Sequence, residues 1–364
     1  MTEALQILET MVAAQLAREP LPSPERIREL IEALRGTPMC AGVSDADAEQ
    51  LALKFEERHG VTMDLGAYLT DADYEPWLDA SRAGITPYYW NRYRDLLVQN
   101  GMSGQVVATL DGVTDRILGL LEDPRKASRW DRRGMVVGHV QSGKTANYIG
   151  LMAKAADAGY RLIVVIAGVH NNLRNQTQGR IDEGFIGRDS AKRLSAGAAR
   201  VVGVGRFDSS RLPVTFTTSL KDFSKAQATG VGVPLQNLTE PAVFVVKKHA
   251  GTLQHLLEWL REYGGRGGLR SVDVPMLLID DEADNASINT RHGSGEVTRI
   301  NGLIRDLLRT FDRSCYVGYT ATPFANIFID PDTADAMREP TCFHVISLSA
   351  STRQQTISAR NACS

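Results

Sequence analysis

Apolar residues recur at helical spacing through roughly the first third of the chain and in short unbroken runs through the remainder. SPERIRELIEALRG carries Ser23 as an N-cap, Pro24 at the first helical position and Gly36 as a stop, and SDADAEQLALKFEERHG repeats that grammar with Ser44 and Gly60. QVVATLDGVTDRILGLLEDP is a longer amphipathic stretch ended by Pro124, so residues 1–125 read as helical. From Gly134 the pattern changes. MVVGHV, RLIVVIAG (161–168), ARVVGVG (199–205), PVTFTT (213–218), PAVFVV (241–246), Met276 to Ile279 and CYVGY are strand-like runs, interleaved with helical stretches such as ANYIGLMAKAADAG and Thr298 to Phe311. Such alternation predicts an α/β fold, a doubly wound parallel sheet covered by helices and preceded by a helical region. The expected organisation is a helical region over 1–125, an α/β lobe over 126–330 and a tail over 331–364.

Composition narrows the class without naming a function. Hydrophobic content of 43% and charged content of 23% are those of an ordinary globular chain. A net charge of −2 provides no global attraction to nucleic acid, so a binding face must be a local patch. No apolar run reaches the ~18 residues that cross a membrane, and MTEALQILETMV lacks a signal-peptide charge pattern. Cys40, Cys315, Cys342 and Cys363 show neither C-x-x-C spacing nor a disulfide framework, which suits a reducing cytoplasm.

Three strings carry chemistry. GHVQSGKT is a full G-x-x-x-x-G-K-T phosphate loop between a strand and a helix: Gly138, His139, Val140, Gln141, Ser142, Gly143, Lys144 and Thr145. Its glycines let backbone N–H groups turn inward onto phosphate oxygens, and the helix that follows presents its positive end to the same anion. Lys144 is expected to reach the β- and γ-phosphates of ATP and the Thr145 hydroxyl to ligate Mg²⁺. LLIDDEAD ends a buried strand in carboxylates, at the strand end where open α/β sheets place their sites. Asp281 is the expected Mg²⁺ ligand, directly or through water, and Glu282 the group that orients or deprotonates the attacking water. Asp280 precedes this pair in a supporting role. GYTATPF places Thr320, Ala321 and Thr322 at the end of another strand, where superfamily-2 helicases couple the nucleotide state to lobe movement.

GHVQSGKTANYIGLMAKAADAGY, AGVHNNLRNQTQGRIDEGFIG, LLIDDEAD and YVGYTATPFANIFID together resemble the Z-one domain family over about residues 75–330. Its members are bacterial superfamily-2-like ATPases, often labelled endonucleases and linked to restriction or phage-defence loci. The resemblance implies a RecA-like P-loop lobe, a nucleic-acid substrate that is DNA by expectation, and defence-system partner proteins. It also implies a second lobe with an arginine finger. No P-D…(D/E)-x-K arrangement and no His-rich cluster stands behind the endonuclease label. An endonuclease with an unrecognised site, or a nucleotide-switched interaction module, are the alternative readings.

Nucleic-acid contacts are expected after the second strand, where Asn171, Asn172, Arg174, Gln178 and Arg180 could meet phosphates without reading sequence. Lys247, Lys248 and His249 follow another strand end and could act similarly. His139 and His170 have no partner at metal-ligand spacing, and Tyr89, Trp90 and Tyr93 read as core or interface residues. Trp130, Arg132 and Arg133 precede the loop without forming a recognisable adenine motif. Residues 340–364 contain no Asp, Glu, Lys or Gly yet hold two of the four cysteines and five serines. A frameshift near Glu339 or Pro340, truncating a longer protein, would explain that composition and leaves an expectation of slow turnover with no further strands.

Overall fold

The computed structural model describes residues 3–16, 22, 24–59, 63–68, 74–138, 143–191, 200–229, 235–237, 239–263, 272–283, 295–320 and 343–350. Three helices open the chain, α1 (Glu3–Leu16), α2 (Pro24–Arg35) and α3 (Asp45–His59). Ser44 caps α3 by accepting from Asp47 N at 3.1 Å, and its hydroxyl donates to Asp47 Oδ2 at 2.7 Å. Leu8, Val12, Leu16, Ile27, Ile31 and Phe55 are buried in a core of their own. Arg28 ties α2 to α3 through Glu49 and Glu56, each at 2.7 Å. The region is not wholly helical. Met63–Tyr68 forms β1, because MDLGAY has strand rather than helical spacing and finds a sheet edge to pair with.

α4 (Leu78–Ser81), α5 (Tyr88–Gln99) and α6 (Gly104–Leu120) lead into β2 (Trp130–Gly138) and α7 (Lys144–Ala158). The remaining elements are β3 (Leu162–Ala167), α8 (Asn171–Ile181), β4 (Val214–Thr215), α9 (Lys225–Thr229), β5 (Ala242–Lys247), α10 (Ala250–Tyr263), β6 (Met276–Asp281), α11 (Gly295–Arg309), β7 (Arg313–Thr320) and β8 (Phe343–Ala350). The strands form one sheet in the order β1-β8-β2-β7-β6-β3-β5-β4, parallel throughout except for β1. Arg200–Gly205, expected as a strand, is instead a single antiparallel bridge at Val201 followed by a 3₁₀ turn from Gly203. Gly203 and Gly205 press against the backbones of Glu183 and Gly187, where an extended strand could not run. Residues 343–350, assigned to a tail without strands, pair parallel to β2 and antiparallel to β1. FHVISLSA has the alternation and β-branched content that a strand requires. It joins the existing sheet.

Both faces of the sheet are covered. Ile163, Val165, Val243, Val245, Leu277, Ile279 and Val317 share a core with α5, α6 and α7. Their neighbours along the same strands, Leu162, Val164, Phe244, Val246, Met276 and Leu278, share the opposite core with α10 and α11. That period of two on strands apolar at every position is the signature of a doubly wound parallel sheet. Tyr89, Trp90 and Tyr93 are buried against α7, as their spacing predicts. Asp157 of α7 anchors α5, accepting from Tyr89 N and Trp90 N at 2.9 Å each. Among the described residues no helix is long and apolar enough to cross a membrane.

Candidate functional site

Three strand ends meet at one edge of the sheet. β7 lies between β2 and β6, with Tyr319 level with Val136 on one side and Asp281 on the other. The phosphate loop leaves β2 at Gly138 and the acidic pair ends β6, so both motifs open onto the same edge. His139, Val140, Gln141 and Ser142 lie outside the described residues, as do Ala321 and Thr322. Gly143 stands before α7 at φ 97°, a left-handed turn that favours glycine. Lys144 and Thr145 follow as the first residues of α7, half-buried at its positive end.

Side chains converge on this helix start. Arg180, exposed at the far end of α8, donates from Nη1 to Thr145 Oγ1 at 3.2 Å. Tyr148, one turn along α7, is fully buried and packs edge-on against Tyr319 with ring centroids 5.8 Å apart. The Tyr319 hydroxyl donates to Asn147 Oδ1 at 2.8 Å, joining β7 to the first turn of α7. Burial pushes the Tyr148 hydroxyl pKa up, and the Asp281 carboxylate adds to that shift. Burial likewise raises the Asp281 carboxyl, while Lys144 opposes the rise and its neighbours Glu282 and Asp280 reinforce it.

Glu282 has φ 59°, the one non-glycine residue in the left-handed region among those described. Strain of this kind collects where a surrounding structure over-determines a functional turn. Ala283 N donates to Tyr319 O at 2.9 Å and closes the turn onto β7. Gly168, just past β3, packs closely under α8: a Cβ there would lie 3.0 Å from Leu173 Cδ1, and in ordinary contact, 3.6 Å, with Glu282 Oε2. The only sequence signal for Gly168 is a glycine directly after a strand.

Lys248 does not face a nucleic-acid surface. It is buried behind the acidic motif, with Nζ 2.6 Å from Asp280 Oδ1 and both side chains inaccessible. The same ammonium donates to Asp281 O at 3.2 Å and Glu282 O at 2.7 Å. The Tyr316 hydroxyl donates to the other oxygen of Asp280 at 3.0 Å. Strand alternation is the reason. Asp280 and Asp281 point to opposite faces of β6, and only Asp281 lies on the side of Lys144 and Tyr148 of α7.

The residues of α8 divide in the same way. Arg174 is 1% exposed and donates to Val245 O at 3.3 Å and Thr218 O at 2.7 Å, so it stitches α8 to β5 and cannot also contact a phosphate backbone. Gln178 is fully buried, donating to Asp182 Oδ1 at 2.9 Å and accepting from Thr217 Oγ1 at 2.7 Å. Helical spacing puts 174 and 178 on the inner face, one turn apart. Asp182 also accepts from Ser190 N at 3.0 Å, and burial pushes its carboxyl up to about 6. Asn171 and Asn172 stay exposed on the first turn beside His170. Arg132, near the start of β2 and so at the far end of that strand from Gly138, is engaged by Glu122 at 2.8 Å.

Among the described residues no group of three or more His, Cys, Asp or Glu side chains is arranged to hold a metal. Thr145 and Asp281 offer one hydroxyl and one carboxylate, a hard-oxygen donor set that fits Mg²⁺ retaining several of its waters. No model of a known protein family matches the chain, and no curated protein matches it.

Proposed function

We propose that this chain is the ATP-binding and hydrolysing lobe of a superfamily-2-like motor acting on nucleic acid, of the kind found in restriction or phage defence. The observation that carries the reading is that the phosphate-loop strand and the acidic strand flank β7, level at one sheet edge, with Glu282 held in a left-handed turn. Backbone N–H groups at the start of α7 and the Lys144 ammonium hold the phosphates of ATP. Thr145 and Asp281 hold Mg²⁺, which when bound neutralises charge on the β- and γ-phosphate oxygens. Arg180, now donating to Thr145, is a second cation within reach of the same phosphates. Glu282 orients the attacking water and accepts its proton. Thr320, with Ala321 and Thr322 after it, transmits the nucleotide state. Asn171 and Asn172 remain as nucleic-acid contacts, DNA being the expected substrate. Defence-system proteins as partners and a cytoplasmic location belong to the same reading.

ATP hydrolysis measured with and without duplex and single-stranded DNA tests it, with Glu282→Gln as the control. DNA-stimulated release of phosphate that falls by about 10²–10⁴ in Glu282→Gln is the expected result. Hydrolysis indifferent to Glu282, or no stimulation by any nucleic acid, counts against the reading.

A further inference from the structure

We infer that Lys248 is a positioning residue for Glu282, acting through the backbone of the acidic turn. The inference rests on the ATPase reading and deepens it. A buried lysine that merely neutralised Asp280 would need only the carboxylate. Here the ammonium also meets the carbonyl oxygens of Asp281 and Glu282, the two residues that carry the acidic pair. Two successive carbonyls turned toward one cation require a sharp bend between them, and Glu282 has the positive φ that such a bend takes.

The bend is held from several sides. Lys248 N donates to Ala167 O and Gly168 O at 3.1 Å each, which fixes the base of the lysine on the end of β3. Tyr316 on β7 orients Asp280 from its second oxygen. Ala283 N, on the far side of the turn, is bonded to Tyr319 O. β3, β5 and β7 thus each supply a contact that holds the turn after β6, and Lys248 is where the β5 contact reaches the main chain of Glu282. Without the cation, the carbonyls of Asp281 and Glu282 lose a charge-assisted partner inside the protein. The turn is then free to relax toward ordinary φ, which moves the Glu282 carboxylate from its place beside Gly168. Phosphate binding, carried by Lys144 and the start of α7, does not depend on this turn.

Lys248→Met alone leaves Asp280 as an unpaired buried charge and endangers folding. The test therefore uses Lys248→Met/Asp280→Asn, which removes both charges at similar volume, with thermal unfolding as the check on the fold. Binding of a fluorescent ATP analogue with Mg²⁺ and single-turnover ATP hydrolysis are measured for the wild type, for this double variant, for Glu282→Gln, and for the three substitutions combined. The expected result is nucleotide binding within about threefold of wild type and hydrolysis slower by about 10–100-fold, since a displaced catalytic group loses much of its effect. On the Glu282→Gln background that loss should vanish, because groups acting through one another are not additive. If the double variant does not fold, Tyr316→Phe loosens Asp280 without a charge change and should give a loss of several-fold with the same dependence on Glu282. Wild-type hydrolysis in the charge-removed protein, or a loss that persists in full without Glu282, overturns the inference. A wild type that binds no Mg²⁺-ATP overturns the ATPase reading and the inference with it.

Discussion

The ends of β3 and β6 are neighbours in the sheet, and each is followed by polar residues, yet they behave oppositely. At the end of β6, Asp281 and Glu282 stay half-buried, Asp281 within electrostatic reach of Lys144 at the start of α7. After β3, Arg174 and Gln178 turn inward and become buried scaffold between α8, β4 and β5. The difference lies in what the chain does next. A turn directly after the strand leaves its carboxylates at the edge, whereas a helix laid back on the sheet buries one polar residue per turn. Polarity after a strand therefore indicates a site only when no helix face absorbs it.

Substitutions on the two sides of this contrast should have different consequences. The largest effect belongs to the β6 side: Glu282→Gln is expected to slow hydrolysis by about 10²–10⁴ with unfolding temperature unchanged, since in the proposed reading Glu282 serves chemistry and not packing. On the β3 side the effect moves to stability. Arg174→Ala leaves Val245 O and Thr218 O without their donor inside the core and should cost about 3 kcal/mol in urea unfolding. A cost below 1 kcal/mol in that experiment would mean that α8 is not held as described.

The third prediction concerns pH. Asp182 keeps its proton in the fold up to about 6, above the ordinary carboxyl value of 3.8. The folded state thus retains a proton that the unfolded chain releases at lower pH, so this contribution to stability is full below about pH 4 and lost as pH rises through 6. Asp182→Asn does not titrate. The stability of wild type relative to that variant should fall by roughly 2–3 kcal/mol between pH 4 and 7, and a constant difference would contradict the assignment. The smallest effects belong to Asn171→Ala and Asn172→Ala, which should alter stability by less than about 0.5 kcal/mol and weaken DNA binding by about 2–10-fold. Unchanged binding would count against the first turn of α8 as a nucleic-acid contact.

Much of this was legible in the chain itself. RLIVVIAG, PAVFVV and Met276 to Ile279 could be read as strands buried on both faces because every position is apolar. The G-x-x-x-x-G-K-T and Asp-Glu strings stand out by residue type and spacing, and the strands that carry them flank β7 in the sheet. Long-range pairing was not legible. MDLGAY and FHVISLSA carry strand spacing, but nothing local shows that the first pairs with β8 or the second with β2. ARVVGVG has strand composition, yet its glycines serve close approach of two backbones. Lys248 looked like a surface cation next to Lys247 and His249. Its burial follows from Asp280 standing on the adjacent face of the sheet, which local spacing does not reveal.

The central claim is that Lys144 and the edge it shares with Asp281 form an ATP site. Calorimetric titration of Mg²⁺-ATP into the wild type and into Lys144→Ala tests it most directly. Saturable binding to the wild type, needing Mg²⁺ for full strength and weakening by at least about tenfold in Lys144→Ala, is expected from the loss of one charge-assisted phosphate contact. Equal binding by the two proteins, or none by the wild type, would contradict it.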